Sequence, residues 1–256
     1  MKPYLLIFHL LLSSILLASD NSHSLFYSQS SAGTGFFSLN PAGKSKLNKA
    51  TFGVLAENRF GLKELNTGVV SAVFSSRIGN LGVAVSNYGD ELYGQNIFGA
   101  NYSRSLSPSF DLGIEANYLS THFEQESISH FFVVFGMQAQ LSHSWRWGVY
   151  IANLNRAYFE EEALPIVFSS GVAYGVSDKV QLFADILKET NFPLEAKVGI
   201  EYFPVPSLSV SAEVKSYSQK SSFSIGYQLA SFFIEMSNTF HGNLGSSPRF
   251  SIIYEL

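Results

Sequence analysis

Histidine, serine and carboxylate side chains are the groups from which an active site in this sequence would be built. The sequence has 6 histidines and no cysteine, which excludes thiol nucleophiles, disulfides and thiolate metal sites. The histidines are His9, His23, His122, His130, His143 and His241. No two of them have the His-x-x-x-His spacing of a metal site. We therefore predict a non-enzyme with no catalytic residue, no metal site and no cofactor.

A serine beside a histidine, Ser129-His130, comes nearest to a hydrolase pair. Adjacent residues on a strand point to opposite faces, so these two side chains cannot hydrogen-bond to each other. A lipid hydrolase would need a serine and a histidine on neighbouring strands that face one another. This enzyme class stays open as a third functional hypothesis.

The octapeptide at positions 38–45 reads Ser-Leu-Asn-Pro-Ala-Gly-Lys-Ser, which is close to a phosphate-binding loop. Its first glycine is replaced by Ser38, Pro41 stiffens it, and no strand-then-helix pattern surrounds it. We expect no nucleotide to bind there. The formal net charge of -4 also argues against a nucleic-acid partner, because binding to phosphates needs a basic face.

The composition is unusual for a protein with a water-facing surface. The 256 residues are 46% hydrophobic, 15% aromatic and only 14% charged, whereas soluble domains average about 25% charged residues. So few charges exclude an ordinary cytosolic enzyme, and so many apolar residues exclude intrinsic disorder.

The first 24 residues have the pattern of a secretory signal peptide. Lys2 precedes an apolar run from Tyr4 to Ala18, and small residues follow. Cleavage is expected after Ala18 or after Ser24. The alternative is a single transmembrane anchor, but the run is shorter than the ~20 residues that a helical span needs.

From residue 50 onward, apolar residues recur at every second position. In the segment 194–202 the apolar face consists of Leu194, Ala196, Val198, Ile200 and Tyr202, and Glu195, Lys197, Gly199 and Glu201 alternate with them. This period is that of a β-strand with one apolar and one polar face. About fourteen such segments follow one another, joined alternately by short turns and by longer polar loops.

That pattern predicts an all-β fold: a transmembrane, antiparallel, up-and-down β-barrel of about fourteen strands over residues 48–256. Such barrels have an even number of strands, with short periplasmic turns and longer external loops. The last segment, 249–256, is expected to pair with the first, since an open sheet edge is unfavourable in hydrocarbon.

The alternative is a soluble sandwich with the apolar faces packed inward. Two features indicate that the apolar face contacts lipid. The polar faces carry few charges. Aromatic residues are concentrated near strand ends, and Tyr and Trp are enriched at membrane interfaces. Those aromatic residues are Tyr88, Tyr93, Tyr102, Tyr118, Trp145, Trp147, Tyr174, Tyr202 and Tyr254.

In a membrane barrel, charged residues on the polar faces point into the lumen. By alternation these are Glu115, Arg146, Asp185, Glu195, Lys197, Glu201, Glu213, Lys215 and Glu235. Buried charges must be paired or hydrated. These charges have two alternative roles. They form a hydrophilic path through the lumen or a latch that holds the N-terminal segment, or they form a structural network that only fills the barrel interior.

A small-residue run precedes the first strand and ends in Asn-Pro-Ala-Gly. This run resembles the N-terminal part of the FadL-like outer-membrane channel superfamily, and the predicted strand number agrees with that of its barrels. The superfamily includes the PorV-type barrels of type IX secretion. The matching residues are Gly33, Gly35, Asn40, Pro41, Ala42 and Gly43. The resemblance implies a fourteen-stranded barrel in which residues 25–47 fold into the lumen as a hatch. We expect the segment from Gly33 to Gly43 to act as the gate.

The resemblance also implies a location in the outer membrane of a Gram-negative bacterium and passive passage of small molecules, hydrophobic ones included. The alternative is a non-conducting, PorV-type barrel that acts as an accessory or shuttle in protein secretion or surface assembly. The expected partners are accordingly outer-membrane lipid, and hydrophobic small molecules or a secretion or envelope protein.

Overall fold

A computed structural model describes residues 30–123, 126–159 and 162–256. The predicted signal peptide, 1–24, lies outside the described residues. Within these ranges two short 3₁₀ helices occur, η1 (Pro41–Lys46) and η2 (Lys63–Leu65). Neither is long and apolar enough to span a membrane.

Nearly all remaining regular structure is β-strand. The strands are β1 (Thr51–Asn58), β2 (Asn66–Ser76), β3 (Gly79–Gly89), β4 (Tyr93–Ser107), β5 (Phe110–Phe123), β6 (Glu126–Gln140), β7 (Trp145–Ala152), β8 (Tyr158–Phe159), β9 (Glu162–Ala163), β10 (Val167–Ser177), β11 (Val180–Glu189), β12 (Glu195–Val205), β13 (Leu208–Lys215), β14 (Lys220–Leu229), β15 (Phe232–His241) and β16 (Gly245–Glu255).

Fourteen of these strands form one closed barrel in which each strand pairs antiparallel with its neighbours. The two-residue strands β8 and β9 form a separate small hairpin. The barrel closes where β1 meets β16, with Thr51 opposite Glu255 and Glu57 opposite Arg249. The predicted fold, about fourteen antiparallel strands with the last pairing to the first, is confirmed.

Side-chain burial alternates along the strands as the apolar pattern predicts. The outward positions of β12, Val198, Ile200 and Tyr202, are 43–50% exposed, whereas the inward Lys197 and Glu201 are at most 8% exposed. In the barrel strands that the structure describes, only two charged residues, Arg104 and Lys188, occupy outward positions. The outer wall is therefore apolar and the ionic groups are inside.

Aromatic residues line parts of this outer wall near the strand ends. Tyr102, Trp145 and Tyr202 are 37–45% exposed, and Trp145 stacks on Tyr174 with ring centroids 4.5 Å apart. Tyr88 departs from the predicted interface role. It is only 6% exposed, because it occupies an inward position of β3 beneath the Arg59 guanidinium.

The two ends of the barrel differ in their connections. One end, here called the turn end, holds the short connections 77–78, 108–109, 141–144, 178–179, 206–207 and 230–231, the start of β1 and the end of β16. The other, the loop end, holds the connections 59–65, 90–92, 153–166, 190–194, 216–219 and 242–244.

The described part of the connection 153–166 partly covers the lumen at the loop end. Leu164, 3% exposed, packs into the lumen cluster that includes Leu119 and Phe132. Asn153 holds this connection in shape: its amide donates to the Leu164 carbonyl, and its side-chain oxygen accepts from the Ala157 amide.

Candidate functional site

Residues 30–47, the described part of the predicted segment 25–47, are called the hatch and lie inside the barrel near its turn end. Residues 25–29 of that segment lie outside the described residues. The segment folds on itself: the Gly35 amide donates to the Gly43 carbonyl over 3.0 Å, and Gly43 donates to the Asn40 carbonyl over 2.9 Å. Position 43 has no room for a side chain, because a Cβ there would lie 2.6 Å from the Gly33 carbonyl oxygen. Gly43 of the motif therefore permits the tight fold of this segment.

Asn40 holds the hatch together and to the wall. The side chain is fully buried. Its amide nitrogen lies 2.7 Å from the Ser31 carbonyl of the hatch, and 3.0 and 3.2 Å from the carbonyls of Met137 and Val149 on β6 and β7. Its oxygen accepts from the Ala42 amide and so caps η1, while Pro41 occupies the first helical position, where no donor is needed.

Four inward-facing glycines of the wall let the hatch approach closely, through its side chains at two of them and through its backbone at the other two. They are Gly53 on β1, Gly113 on β5, Gly136 on β6 and Gly148 on β7. A Cβ at each would overlap a hatch atom: Phe36 at Gly53, Pro41 at Gly113, Asn40 at Gly136 and Ser31 at Gly148. These glycines were not predicted from the sequence. In the sequence, such a residue can be recognised as a glycine at an inward position of a strand, towards the turn end.

Polar side chains of β6 and β11 bind the hatch backbone. The buried Gln138 amide donates to the carbonyls of Ser31 and Gly33 at 3.0 and 2.6 Å. The Asp185 carboxylate accepts from the Ser31 amide at 2.6 Å and from the Ser30 hydroxyl at 3.3 Å. Asp185 is 4% exposed, so the hatch supplies two donors to one oxygen of a carboxylate that water scarcely reaches.

Ion pairs attach the C-terminal part of the hatch. Lys44 pairs with Glu115 on β5 and Lys46 with Asp111 on the same strand, each at 2.9 Å. The Asn80 amide of β3 donates to the hatch carbonyls of Lys44 and Leu47. The hatch thus has polar attachments to β3, β5, β6, β7 and β11.

The predicted lumen charges fall into two groups. Glu115, Arg146 and Asp185 touch the hatch, Arg146 through the Thr34 hydroxyl at 3.3 Å. The others lie elsewhere. Glu195 accepts from the Ser218 amide at the loop end, and Lys197, Glu201, Glu213, Lys215 and Glu235 are buried on β12, β13 and β15.

The second group makes longer ionic contacts. Lys215 lies 3.7 Å from Glu213, and Lys197 lies 4.0 Å from Asp185. Lys197 and Lys215 are also directly opposite each other across β12 and β13. Neighbouring inward positions on β13 and β14 carry small hydroxyls, with Ser211 and Ser224 hydrogen-bonded at 2.6 Å. This side of the lumen is polar.

The opposite side of the lumen is apolar and contains a cavity of about 140 Å³. Its floor is the hatch, through Phe36, Phe37 and Leu39. Its walls come from β1–β7, and the polar groups at its edge include Asn117 and the Lys44–Glu115 ion pair. The apolar wall residues are Leu55, Val69, Ala84, Ile97, Phe132, Val134 and Ala152.

This apolar half was not predicted, since the sequence analysis assigned polar residues to the inward face. A signal for it exists: Phe131–Phe135 is apolar at five consecutive positions, so both faces of β6 are apolar there. Such runs indicate a strand with apolar surroundings on both faces.

Ser129 and His130 point to opposite sides of the wall. Ser129 is exposed and accepts from the Tyr118 hydroxyl at 2.7 Å, whereas His130 is 9% exposed and faces the lumen. These two residues therefore do not form a hydrolase pair.

Solved structures that superpose on this chain include outer-membrane barrels. The Pseudomonas putida toluene transporter TodX superposes with a TM-score of 0.59 at 10% identity, over 85% of this chain and 93% of TodX. A Pseudomonas aeruginosa FadL homologue gives 0.56 at 10%, over 84% and 92%. Acinetobacter baumannii Omp33 gives 0.55 at 11%, over 83% and 100%.

The chain shares its fold with these barrels. No family model matches the sequence, and a search of curated proteins finds no match. At identities of about a tenth the likeness is one of backbone architecture, and any functional inference depends on the hatch and the cavity.

The Asn40→Asp substitution is expected to loosen the hatch. It keeps the size of the side chain but directs a carboxylate oxygen at carbonyls that now receive N–H groups. Loss of a buried donor, with a charge in its place, costs about 3 kcal/mol. Limited proteolysis of the folded barrel should cut within the hatch much faster than in the wild type.

The control is Asn66→Asp, the same change at an exposed residue of β2. Equal cleavage rates in the wild type and both variants would show that Asn40 does not hold the hatch.

Proposed function

We propose that this protein is an outer-membrane channel for passive passage of small hydrophobic molecules, with the hatch as its gate. The observation that carries the proposal is the apolar cavity inside the barrel, which the hatch closes on the turn side. A cavity of about 150 Å³ lined by Leu, Ile and Phe binds benzene in an engineered protein. The cavity here, about 140 Å³, is of similar size.

The structural neighbours support the same class of ligand. TodX is described as a toluene transporter and a monoaromatic hydrocarbon channel, and its barrel shares the fold of this chain. The outer-membrane location rests on that likeness and on the apolar outer wall. The short connections then face the periplasm and the longer ones the cell exterior, as in other barrels of this type.

The proposed gate is the motif segment from Gly33 to Gly43, with Asn40 and Gly43 maintaining its closed shape. Passage requires this segment to move, because it forms the floor of the cavity. Glu115, Arg146 and Asp185 would act as latches, and the charges on β12, β13 and β15 would keep the polar side of the lumen in place.

Deletion of residues 33–43 is expected to open the lumen. Conductance in planar bilayers and the rate of liposome swelling should both rise above those of the wild type, while the heat-modifiable mobility of the folded barrel is retained. A folded deletion variant with unchanged conductance and swelling would refute the gate.

Filling the cavity tests the ligand class separately. Ala84→Phe places a ring into the cavity and should reduce uptake of a hydrophobic aromatic dye by cells whose outer membrane otherwise excludes it. The control is Ala100→Phe, which makes the same change at an outward position of β4. If both variants take up dye at the wild-type rate, the cavity is not on the path.

The accessory role in secretion or surface assembly has no comparable support. TodX is described as a toluene transporter, Omp33 as an outer membrane protein and the third barrel as a FadL homologue, and none of the three as a secretion component. A stoichiometric envelope partner, recovered from intact outer membranes together with absence of dye uptake, would favour the accessory role over the channel.

A further inference from the structure

Arg104 is an exception to the apolar outer wall. It is exposed on the outward face of β4, close to the turn end, and its cross-strand neighbour on β5 is Leu112. The other outward charged residue, Lys188, donates to the Phe192 carbonyl. Within the described residues, Arg104 has no hydrogen bond or ion pair.

A second arginine and a tyrosine lie beside Arg104 at the same rim. Arg77 is exposed in the β2–β3 turn, next to Ile78, and likewise has no partner among the described residues. The Tyr102 hydroxyl donates to the Ile78 carbonyl at 2.6 Å, and Tyr102 and Arg104 share one face of β4. The β2–β3 turn is thereby held beside Arg104.

The surroundings of this cluster are apolar. Ile78, Leu81 and Leu106 are 55–67% exposed, as expected for side chains that contact lipid. A guanidinium on the lipid face of a barrel is strongly destabilising at the bilayer midplane and much less so near the interface. Two unpaired guanidinium groups here therefore favour an anion at the level of the headgroups.

We propose that Arg77, Arg104 and Tyr102 form a binding site for the phosphate group of an anionic phospholipid, in the membrane leaflet that surrounds the turn end. Each guanidinium offers several N–H donors in a planar arrangement that matches phosphate oxygens. The acyl chains would lie against Ile78, Leu81 and Leu106. This inference rests on the proposed membrane location but not on the proposed channel activity.

The test counts the lipids that remain bound to the purified full-length barrel. The protein is mixed in detergent with equimolar phosphatidylglycerol and phosphatidylethanolamine and analysed by native mass spectrometry. The wild type should retain phosphatidylglycerol preferentially. A charge-assisted hydrogen bond from a guanidinium to a phosphate oxygen contributes at least about a tenfold preference, so Arg77→Gln and Arg104→Gln should each lower the preference by about that factor.

Matched controls distinguish a specific lipid-binding site from a general effect of positive charge at the turn end. Lys179→Gln removes an exposed cation from the β10–β11 turn at the same end, and it should leave the preference unchanged. The proposal is overturned if the double arginine variant keeps its preference or if Lys179→Gln loses as much. It is also overturned if inorganic phosphate displaces phosphatidylglycerol efficiently, or if lipid A is retained in preference to phosphatidylglycerol.

Failure of the membrane location would look different. A protein that is monodisperse without detergent would contradict the location itself. A folded arginine variant with wild-type dye uptake but no lipid preference would support the lipid site and leave the channel proposal intact.

Discussion

Gly148→Val is expected to displace the hatch from its contact with the barrel wall and to produce a large rise in conductance. Gly148 faces the lumen on β7, and even a Cβ there would overlap the Ser31 carbonyl and the Ala32 backbone. Neither group can yield freely, because the Ser31 carbonyl also accepts from Asn40 and Gln138. The barrel strand itself should tolerate valine, since β-branched residues suit strands.

The size of the effect follows from the cost of overpacking. Inserted side-chain volume costs about 1–3 kcal/mol where packing is tight. At the upper limit this raises the population with a displaced hatch by roughly a hundredfold. Single-channel recordings should then show long open periods, and protease should cut within the hatch.

Gly175→Val is the matched control for this prediction. Gly175 is also at an inward position near the turn end, on β10, but a Cβ there would meet only the Ser144 carbonyl oxygen, 3.9 Å away. This variant should conduct like the wild type. Equal conductance of the two glycine variants would mean that the wall glycines do not hold the hatch in its position inside the barrel.

Glu57→Gln is expected to destabilise the barrel more than any exposed charge change. Glu57 on β1 and Arg249 on β16 pair at 2.7 Å across the closing seam, with side chains only 7% and 3% exposed. Arg59 binds the same carboxylate at 3.0 Å. Neutralising Glu57 leaves two guanidinium groups together without their counter-charge.

Breaking a buried ion pair by removing one partner costs about 3–5 kcal/mol. Urea unfolding in lipid vesicles, followed by tryptophan fluorescence, should show that loss. The double variant Glu57→Gln/Arg249→Gln should recover part of it. Glu64→Gln, whose partner Lys63 lies 3.9 Å away and is 89% exposed, should change the free energy of unfolding by less than about 1 kcal/mol. A Glu57→Gln effect no larger than this would contradict the structural role of the seam.

Strand number and sidedness are readable from the sequence because they depend on local periodicity. A period of two in segments such as 194–202 specifies which side chains share a face, and nearly all strand charges then fall on the inward side. The low charge content adds the inference that the outward face does not meet water. Burial of Lys197 and Glu201, with exposure of Val198 and Ile200, follows this local rule.

The layout of the lumen depends instead on the tertiary structure. Alternation places Ile97, Phe132 and Gly148 inward but cannot say what each one meets, because that depends on strand stagger and on a hatch that precedes them by dozens of residues. Contacts between residues far apart in the sequence produce three features of the lumen. These are the close approach of the hatch to the four wall glycines, the contacts of Asn40 with β6 and β7, and the division of the lumen into apolar and polar sides. Side-chain direction is a property of neighbouring residues along one strand, whereas a cavity is a property of the closed ring.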